Sequence, residues 1–241
     1  MLLQLFLNKN LALHFYYSEK SLENNKVIAE NIYLIAPGLP QFTHRNFFKE
    51  KVNKNTAFFY LYYYGSWFSG GKFLFKNCIK SIEDAINFVK NKCGVKTFDN
   101  KKIQWDYKNL FLVANSFGGN VALSAKIMKK DIKRIILYSP FFVEHSNVIE
   151  NKEMLCFLVR GYKNNFRGIE LKEWRRYFHK KDKSSFLRLD SSFPSINIIH
   201  GAEDNVVPCK LSQELQNKYP KLVKLKLKKG MGHSFEQLYE S

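Results

Sequence analysis

One serine stands between a buried apolar run and a helical pattern, with small residues around it. Ser116 lies in the segment "FLVANSFGGNVAL", between Ala114 and the pair Gly118-Gly119. A strand that ends in small-x-Ser-x-Gly and leads into a helix is typical of a nucleophile elbow, a strained turn that raises a serine hydroxyl above a sheet. Larger side chains would collide in so tight a turn. The pattern predicts a nucleophilic Ser116, while a serine that only caps the helix is the alternative.

An acidic residue and a histidine follow later in the chain, each just after a predicted strand. Asp204 lies in "HGAEDNVVP" after the strand "SINIIHG", and His233 lies in "GMGHSF" after the strand "KLVKLKLKK". A carboxylate in such a place can orient a histidine and stabilise its cationic form. Gly230 and Gly232 allow the loop to turn His233 back over the sheet. The order of serine, acid and histidine therefore predicts that Ser116, Asp204 and His233 act together.

The other acids and histidines fit this arrangement less well. Glu203 and Glu144 are alternative acids, because a neighbouring loop can supply the carboxylate. His200 precedes Asp204, and we expect it to support the loop by hydrogen bonding. The remaining histidines lie in a predicted strand, in a basic helix or upstream of the acid: His14, His44, His145 and His179.

The elements that must position these residues alternate between strands and helices. Two short apolar runs predict an N-terminal hairpin, and the helical spacing of apolar residues predicts a helix over "FKNCIKSIEDAINFVKNK". Further strands are predicted over "NIYLIAPGLP", "TAFFYLYYYGS", "NLFLVANS" and "IKRIILYSP", and further helices over "NVALSAKIMKK" and "KLSQELQNKY". This alternation indicates an α/β fold with a mostly parallel central sheet and helices on both faces. In the last strand, Lys224, Lys226 and Lys228 alternate with leucines, as expected at a sheet edge.

The segment 141–189 departs from this alternation, because it is rich in charged and aromatic residues. We interpret it as a short helical cap inserted into a single domain that spans 1–241. Within it, "KEWRRYFHKKDK" predicts an amphipathic helix with Trp174, Tyr177 and Phe178 packed inward and its cations in solvent. The alternative is a basic rim that attracts anionic substrates or phospholipid headgroups.

Composition narrows the possible partners and compartments. The net charge is +18, but most of the 39 basic residues are lysines. Because arginine is preferred for bidentate recognition of phosphate and guanine, we expect no specific nucleic-acid partner. No run reaches the roughly 18–20 apolar residues of a transmembrane helix, and "MLLQLFL" is too short for a signal peptide. The four cysteines are widely spaced, so we expect a cytoplasmic protein without a metal site or disulfide framework.

Four motifs together resemble the α/β-hydrolase superfamily. They are "NSFGGN", "HGAEDNVVP", "GMGHSF" and "YYYGSWFSGGKFLFKN", and the resemblance covers about Asn31 to Phe235. Within the superfamily, the sequence is most similar to the serine hydrolase branch of prolyl oligopeptidase, serine aminopeptidase and esterase-like domains. The resemblance implies an α/β-hydrolase fold and a catalytic triad of Ser116, Asp204 and His233.

The resemblance also implies an oxyanion hole and a substrate pocket. The elbow itself directs the Phe117 N–H toward an oxyanion, and family analogy adds the Leu39 N–H. Trp67 and Phe68 are expected to line an apolar acyl pocket or to belong to the core. Three positions depart from the family pattern: Ala114 replaces the first glycine of the elbow, Pro37 a frequent histidine and Tyr64 a frequent arginine.

The resemblance implies a cofactor-independent serine hydrolase of a small acyl substrate, with an acyl-enzyme intermediate on Ser116. A carboxylester or thioester is the first expectation for the substrate, and a short peptide is the second. A non-catalytic binding module of the same fold is the third interpretation. For an enzyme, the rate should rise with pH through the titration of His233, because a protonated imidazole cannot act as a base.

Overall fold

The structure, a computed structural model, describes residues 1–8, 10–41, 45–142, 156, 160–162, 165–178 and 189–233. The strands are β1 (Leu2–Asn8), β2 (Leu11–Tyr17), β3 (Leu22–Glu23), β4 (Lys26–Ala36), β5 (Thr56–Tyr62), β6 (Cys93–Val95), β7 (Lys102–Asn115), β8 (Arg134–Tyr138), β9 (Ser195–Gly201) and β10 (Val223–Lys228). The α-helices are α1 (Arg45–Lys51), α2 (Phe75–Lys90), α3 (Phe117–Ser124), α4 (Leu171–Phe178) and α5 (Lys210–Lys218).

The strands form one sheet in the order β1-β2-β5-β4-β7-β8-β9-β10, with β3 beside β4 and β6 beside β7. The β1–β2 and β2–β5 pairs are antiparallel, and the main path is parallel from β5 through β10. The predicted N-terminal hairpin and the mostly parallel central sheet are therefore confirmed. The carboxyl ends of β4, β7, β8 and β9 come to the same edge, where loops can assemble a site.

Aromatic side chains pack on the face of the sheet that α2 covers. Phe15 and Phe59 stack on adjacent strands with ring centroids 4.1 Å apart, and Trp105 packs edge-on against Phe59. The Trp105 indole Nε1 donates a 2.7 Å hydrogen bond to the Val89 carbonyl near the end of α2. This contact satisfies a helix-terminal carbonyl and fixes the helix on the sheet. The predicted apolar stripe of α2 is confirmed, because its residues are buried: Cys78, Ile82, Ala85, Ile86 and Val89.

The opposite face carries a second cluster around α1. Phe48 of α1 stacks on Tyr16 with ring centroids 4.2 Å apart and also contacts Phe58. These rings belong to β2 and β5, which lie next to each other in the sheet. Helices therefore cover both faces, as the alternating pattern predicted.

Two predicted elements have different limits in the structure. The helix predicted through Lys130 ends at Ser124, because Ala125 is extended and the Lys126 N–H bonds to the Glu83 carboxylate instead of a helical carbonyl. At β10, Val223 is buried and Lys224 is exposed, but Leu227 is 39% exposed. The alternation predicted for this strand therefore holds only in its first half.

Part of the predicted cap lies within the described residues. Trp174 of α4 is fully buried, and its Nε1 donates a 3.0 Å hydrogen bond to the Phe73 carbonyl. The inward packing predicted for Trp174 is confirmed, and its ring also lies against Phe117 at the start of α3. Lys172 of this helix is exposed, as predicted for its cations, while the side chains of Arg175, Arg176, Tyr177 and Phe178 are not described. The cap over 141–189 stays a prediction.

Candidate active site

The carboxyl end of β7 turns directly into α3, and Ser116 is the residue at that turn. Its φ of 47° and ψ of −122° are rarely adopted by L-residues, and such a conformation costs of order 1–3 kcal/mol. The Ser116 N–H donates to the Tyr138 carbonyl at 3.0 Å, and its carbonyl accepts from the Gly119 and Phe141 N–H groups at 2.9 Å. The strand, tight turn and helix predicted around Ser116 are present.

Close backbone contacts explain the small residues of the elbow. A Cβ at Gly118 would lie 2.2 Å from the Ala36 carbonyl oxygen of β4. A Cβ at Gly119 would lie 2.6 Å from the Cβ of Pro140, which follows β8. Any larger residue at either position would push α3 away from the neighbouring strand ends, so the sequence pattern follows from the packing.

The His233 side chain connects Ser116 to Asp204. His233 Nε2 lies 3.2 Å from Ser116 Oγ, and His233 Nδ1 lies 2.8 Å from Asp204 Oδ2. An ionised carboxylate only accepts hydrogen bonds, so Nδ1 carries the hydrogen and Nε2 is free to accept from the serine hydroxyl. The three side chains predicted to act together are therefore within hydrogen-bond distance of one another in the order serine, histidine and aspartate.

The Asp204 carboxylate is fully buried and accepts hydrogen bonds at both oxygens. Oδ1 accepts from the Val206 and Val207 N–H groups at 3.0 and 2.7 Å, and Oδ2 faces His233 and His200. Burial by itself raises the pKa of Asp204, but the hydrogen bonds from His200, His233 and Val207 outweigh it and hold the pKa well below its usual range. Asp204 is therefore an ionised hydrogen-bond acceptor at neutral pH.

His200 is the second imidazole beside Asp204, and it is fully buried. Its Nε2 lies 2.8 Å from the Val207 carbonyl and 3.3 Å from Asp204 Oδ2, so this nitrogen carries a hydrogen. Its Nδ1 accepts from the Ser212 hydroxyl at 2.7 Å. Both ring nitrogens have partners within the protein, which confirms the prediction that His200 supports the loop.

Glu203, which the sequence allowed as an alternative acid, contacts Met231 instead of His233. Its Oε2 accepts a 2.9 Å hydrogen bond from the Met231 N–H, and its own N–H donates to the Met231 carbonyl at 3.1 Å. These bonds fasten the loop of Asp204 to the loop of His233. The carboxylate in contact with His233 is that of Asp204, so the alternative that Glu203 is the acid is wrong. Glu144 lies outside the described residues.

Four hydrogen bonds hold the loop after β4 beside Ser116, and the sequence did not indicate them. The Gly38 N–H donates to Asn115 Oδ1 at 2.8 Å, and the Gln41 N–H donates to the Gly38 carbonyl at 3.0 Å. Two side chains from the β5 end add bonds to this loop: the Tyr63 hydroxyl donates to the Pro37 carbonyl at 2.9 Å, and the Trp67 Nε1 donates to the Pro40 carbonyl at 3.0 Å.

The two residues whose N–H groups are predicted to form an oxyanion hole lie next to residues of the turn around Ser116: Phe117 follows Ser116 directly, and Leu39 follows Gly38. Phe117 is the first residue of α3, and the N–H of a first helical residue has no acceptor within its own helix. Leu39 lies between the fixed residues Gly38 and Pro40, and a Cβ at Gly38 would come within 3.1 Å of Ser116 Cβ. Asn115 Oδ1 accepts from the Gly38 N–H, and the oxyanion-hole role of the Leu39 N–H stays a prediction from family analogy.

The structure places Trp67 and Phe68 in different surroundings. Trp67 is half-buried, has a positive φ of 44° and contacts the loop that carries Leu39. Phe68 is 54% exposed, and its ring lies 5.5 Å from that of His14 and 5.1 Å from that of Tyr62. Trp67 is therefore joined to the loop beside Ser116, whereas Phe68 packs over β2 and the end of β5.

Two features of the described residues bear on other functions. Within the described ranges, no group of three or more histidine, cysteine, aspartate or glutamate side chains could hold a metal ion. Of the helices that the structure describes, none is long and apolar enough to cross a membrane.

No protein-family model and no curated protein matches the sequence, but solved structures match the fold. Est1E from Butyrivibrio proteoclasticus is 17% identical with a TM-score of 0.62, over 99% of this chain and 94% of that one. An alpha-beta serine hydrolase homologue from Coxiella burnetii is 13% identical with a TM-score of 0.57, over 99% and 94%. Thermogutta terrifontis esterase 2 phosphorylated by paraoxon is 15% identical with a TM-score of 0.57, over 97% and 84%. The chain has the α/β-hydrolase fold that its motifs predicted.

Proposed function

We propose that the protein is a serine hydrolase that cleaves a carboxylester or thioester of a small acyl group. The observation that carries the proposal is the chain of hydrogen-bond distances from Ser116 Oγ through His233 to Asp204, at 3.2 and 2.8 Å. Ser116 sits in the strained turn that nucleophile elbows use, and the side chains follow the chain order of hydrolases with this fold. Each side chain has the chemistry that its role requires.

Acylation begins at the serine hydroxyl. Ser116 Oγ attacks the substrate carbonyl carbon while its proton passes to His233 Nε2, and the carbonyl electron pair moves onto the oxygen. The Asp204 carboxylate accepts from Nδ1 and stabilises the imidazolium that forms. When the tetrahedral intermediate collapses, the leaving oxygen or sulfur takes the proton from Nε2. The acyl group remains on Ser116 as an ester.

Deacylation repeats these steps with water as the nucleophile. His233 takes a proton from water, the resulting oxygen attacks the acyl carbon, and Ser116 Oγ leaves with the proton returned from Nε2. The products are a carboxylic acid and an alcohol or thiol. Each proton transfer is assigned to a side chain of the protein, so the proposal names no metal or organic cofactor.

The developing oxyanion is assigned to the N–H groups of Phe117 and Leu39. Donors held in advance of the reaction stabilise this charge most effectively, because they need not reorganise when it forms. The bonds from Asn115, Tyr63 and Trp67 to the loop of Leu39 supply such rigidity. Trp67 is thereby a wall of the acyl pocket in this proposal, and Phe68 lies at its outer margin.

An ester substrate is supported by the names of the structural neighbours, and the thioester rests on the shared chemistry of acyl transfer. Est1E and esterase 2 of Thermogutta terrifontis share the fold across nearly the whole chain, and the second was obtained phosphorylated by an organophosphate. We also propose that the protein acts in the cytoplasm and that residues 141–189 form a cap. In this proposal its positive charge is spread over the surface. All four cysteines are free thiols, as is usual in a reducing compartment.

Labelling with a fluorophosphonate probe tests the proposal. We expect the native protein to be labelled, because the probe phosphonylates an activated serine, and we expect no labelling of Ser116→Ala or His233→Ala. Ser124→Ala is the matched control, since Ser124 ends α3 and its hydroxyl bonds to the Asn120 carbonyl. If a folded native protein is not labelled, the proposal fails and the non-catalytic binding module takes its place.

A further inference from the structure

Two buried polar side chains near Ser116 have no hydrogen-bond partner among the described residues. The unpartnered atoms are Nε2 and Oε1 of Gln41 and Oγ of Ser139. Gln41 is 2% exposed and Ser139 is 4% exposed, so bulk water does not solvate them. A buried polar group without a partner is strongly unfavourable, and such groups are rare in native proteins. An amide and a hydroxyl kept in this state indicate a partner that arrives from outside the chain.

Both residues lie beside the strand end that carries Ser116. Gln41 follows β4 and Ser139 follows β8, and these two strands flank β7 in the sheet. In the register of the sheet, Ala36 of β4 pairs with Ala114 of β7, and Asn115 of β7 pairs with Tyr138 of β8. The loops of Gln41 and Ser139 therefore adjoin Ser116 from its two sides.

The backbone fixes the direction in which each side chain leaves the main chain. Gln41 has a φ of 69° and Ser139 a φ of 39°, both in the left-handed region that is costly for these residues. The Gln41 N–H donates to the Gly38 carbonyl, and the Ser139 N–H donates to the Ile199 carbonyl. These bonds fix the peptide groups, and with them the positions from which the two side chains emerge.

Other buried polar side chains in the described ranges are paired, which makes the contrast informative. Ser81 Oγ accepts from the Tyr64 N–H at 2.8 Å and donates to the Asn77 carbonyl at 2.7 Å. Ser69 Oγ likewise accepts from the Ala12 N–H and donates to the Tyr62 carbonyl. Among the buried side chains that the structure describes, the unpaired atoms therefore lie in the two loops that adjoin the nucleophile.

We propose that Gln41 and Ser139 form a polar subsite for the acyl group of the substrate, and that the preferred acyl group carries an amide close to the scissile carbonyl. A primary amide presents a donor and an acceptor side by side, so another amide complements both atoms at once. The Ser139 hydroxyl can donate to or accept from the same group. The inference rests on the proposed hydrolase function and names its substrate class.

The test compares two 4-nitrophenyl esters with acyl chains of equal length, N-acetylglycinate and pentanoate. We expect Gln41→Met, which keeps the side-chain length without hydrogen-bonding atoms, to lower kcat/KM for the N-acetylglycinate about tenfold. The kcat/KM for the pentanoate should change less than about twofold. Ser139→Ala should lower kcat/KM for the N-acetylglycinate by a smaller factor, about threefold.

Thermal unfolding distinguishes recognition of substrate from a structural role. We expect Gln41→Met to leave the midpoint unchanged or to raise it, because the substitution removes an unpaired buried amide. The matched variant Ser81→Ala, which breaks a paired buried hydroxyl, should lower the midpoint without changing the ratio between the two esters.

Two results would overturn the inference. If Gln41→Met slows both esters equally, or lowers the midpoint as Ser81→Ala does, the amide has a structural partner and no subsite exists. That result leaves the proposed function intact as long as the protein still hydrolyses the esters. If the native protein is labelled by no fluorophosphonate and hydrolyses neither ester, the proposed function fails and the subsite fails with it.

Discussion

Two histidines share the carboxylate of Asp204, and they have opposite surroundings. His200 is fully buried, with Nδ1 bonded to the Ser212 hydroxyl and Nε2 bonded to the Val207 carbonyl. The His233 side chain is 21% exposed, and its Nε2 points at the Ser116 hydroxyl. The first ring has a fixed tautomer, while the second has a nitrogen that can take up a proton. The same aspartate thus supports a structural histidine and a histidine suited to proton transfer.

The difference lies in what holds each ring. His200 is on β9, and its partners lie in the β9–α5 loop and in α5, so its bonds form within one loop-and-helix unit. His233 follows β10, and two hydrogen bonds between Glu203 and Met231 hold its loop beside the loop of Asp204. An imidazole enclosed by its own loop stabilises the fold. His233 lies on a different loop from Asp204 and can therefore contact Ser116 at the turn between β7 and α3.

The largest expected effect is a difference in kcat between the variants His233→Ala and His200→Ala. We expect His233→Ala to lower kcat for an ester substrate by a factor of at least about 10³, because His233 is the group assigned to take the Ser116 proton. His200→Ala should retain measurable activity, since its ring does not contact Ser116. Steady-state kinetics on 4-nitrophenyl pentanoate measure both effects. Equal losses of kcat in the two variants would remove the distinction.

The free energy of unfolding should show the reverse order. We expect His200→Ala to lower it by about 2–3 kcal/mol, because the change leaves the Ser212 hydroxyl and the Val207 carbonyl without their buried partner and removes one hydrogen bond from Asp204. His233→Ala should lower it by less than about 1 kcal/mol. Urea unfolding followed by tryptophan fluorescence measures these values. A larger loss for His233→Ala would contradict the structural role given to His200.

A smaller effect concerns the stability of the protein at low pH, which tests the role of the Asp204 carboxylate. The pKa of Asp204 lies below its unfolded value of about 3.9, so the folded protein binds this proton more weakly than the unfolded chain. The stabilisation from this group is therefore complete above about pH 5 and is lost as the pH falls below about 4.

Asp204→Asn should accordingly reduce the pH dependence. We expect the variant to be less stable than the native protein at pH 6 and to lose less of its unfolding free energy between pH 6 and pH 3. Parallel losses over this range would show that Asp204 does not carry the expected shift.

The sequence was most informative where one contact dictates residue size. Gly118 and Gly119 must be small because the Ala36 carbonyl and Pro140 approach them, and this requirement made the elbow around Ser116 recognisable. The sequence favoured Asp204 as the acid but left Glu203 and Glu144 as alternatives. Glu203 and Asp204 are adjacent in sequence, and only the fold shows which of them faces His233.

Features that depend on register between distant strands could not be predicted in the same way. The bonds from Tyr63 and Trp67 to the loop after β4 join residues 26 and 27 positions apart. The absence of partners for the Gln41 and Ser139 side chains depends on the positions of the described donors and acceptors around them, which local sequence does not give. The early end of α3 likewise follows from a tertiary bond between Lys126 and Glu83, which local helix propensity does not include.

The central claim is that Ser116 forms a covalent acyl-enzyme, and rapid acid quenching with mass spectrometry tests it most directly. The native protein would be mixed with excess 4-nitrophenyl acetate, quenched within the first turnovers, digested and mapped. We predict a mass increase of one acetyl group on the peptide that contains Ser116, with no such peptide from Ser116→Ala. Hydrolysis of the ester without any acylated Ser116, or an equal yield of acetylated peptide from a lysine of the surface, would contradict the claim.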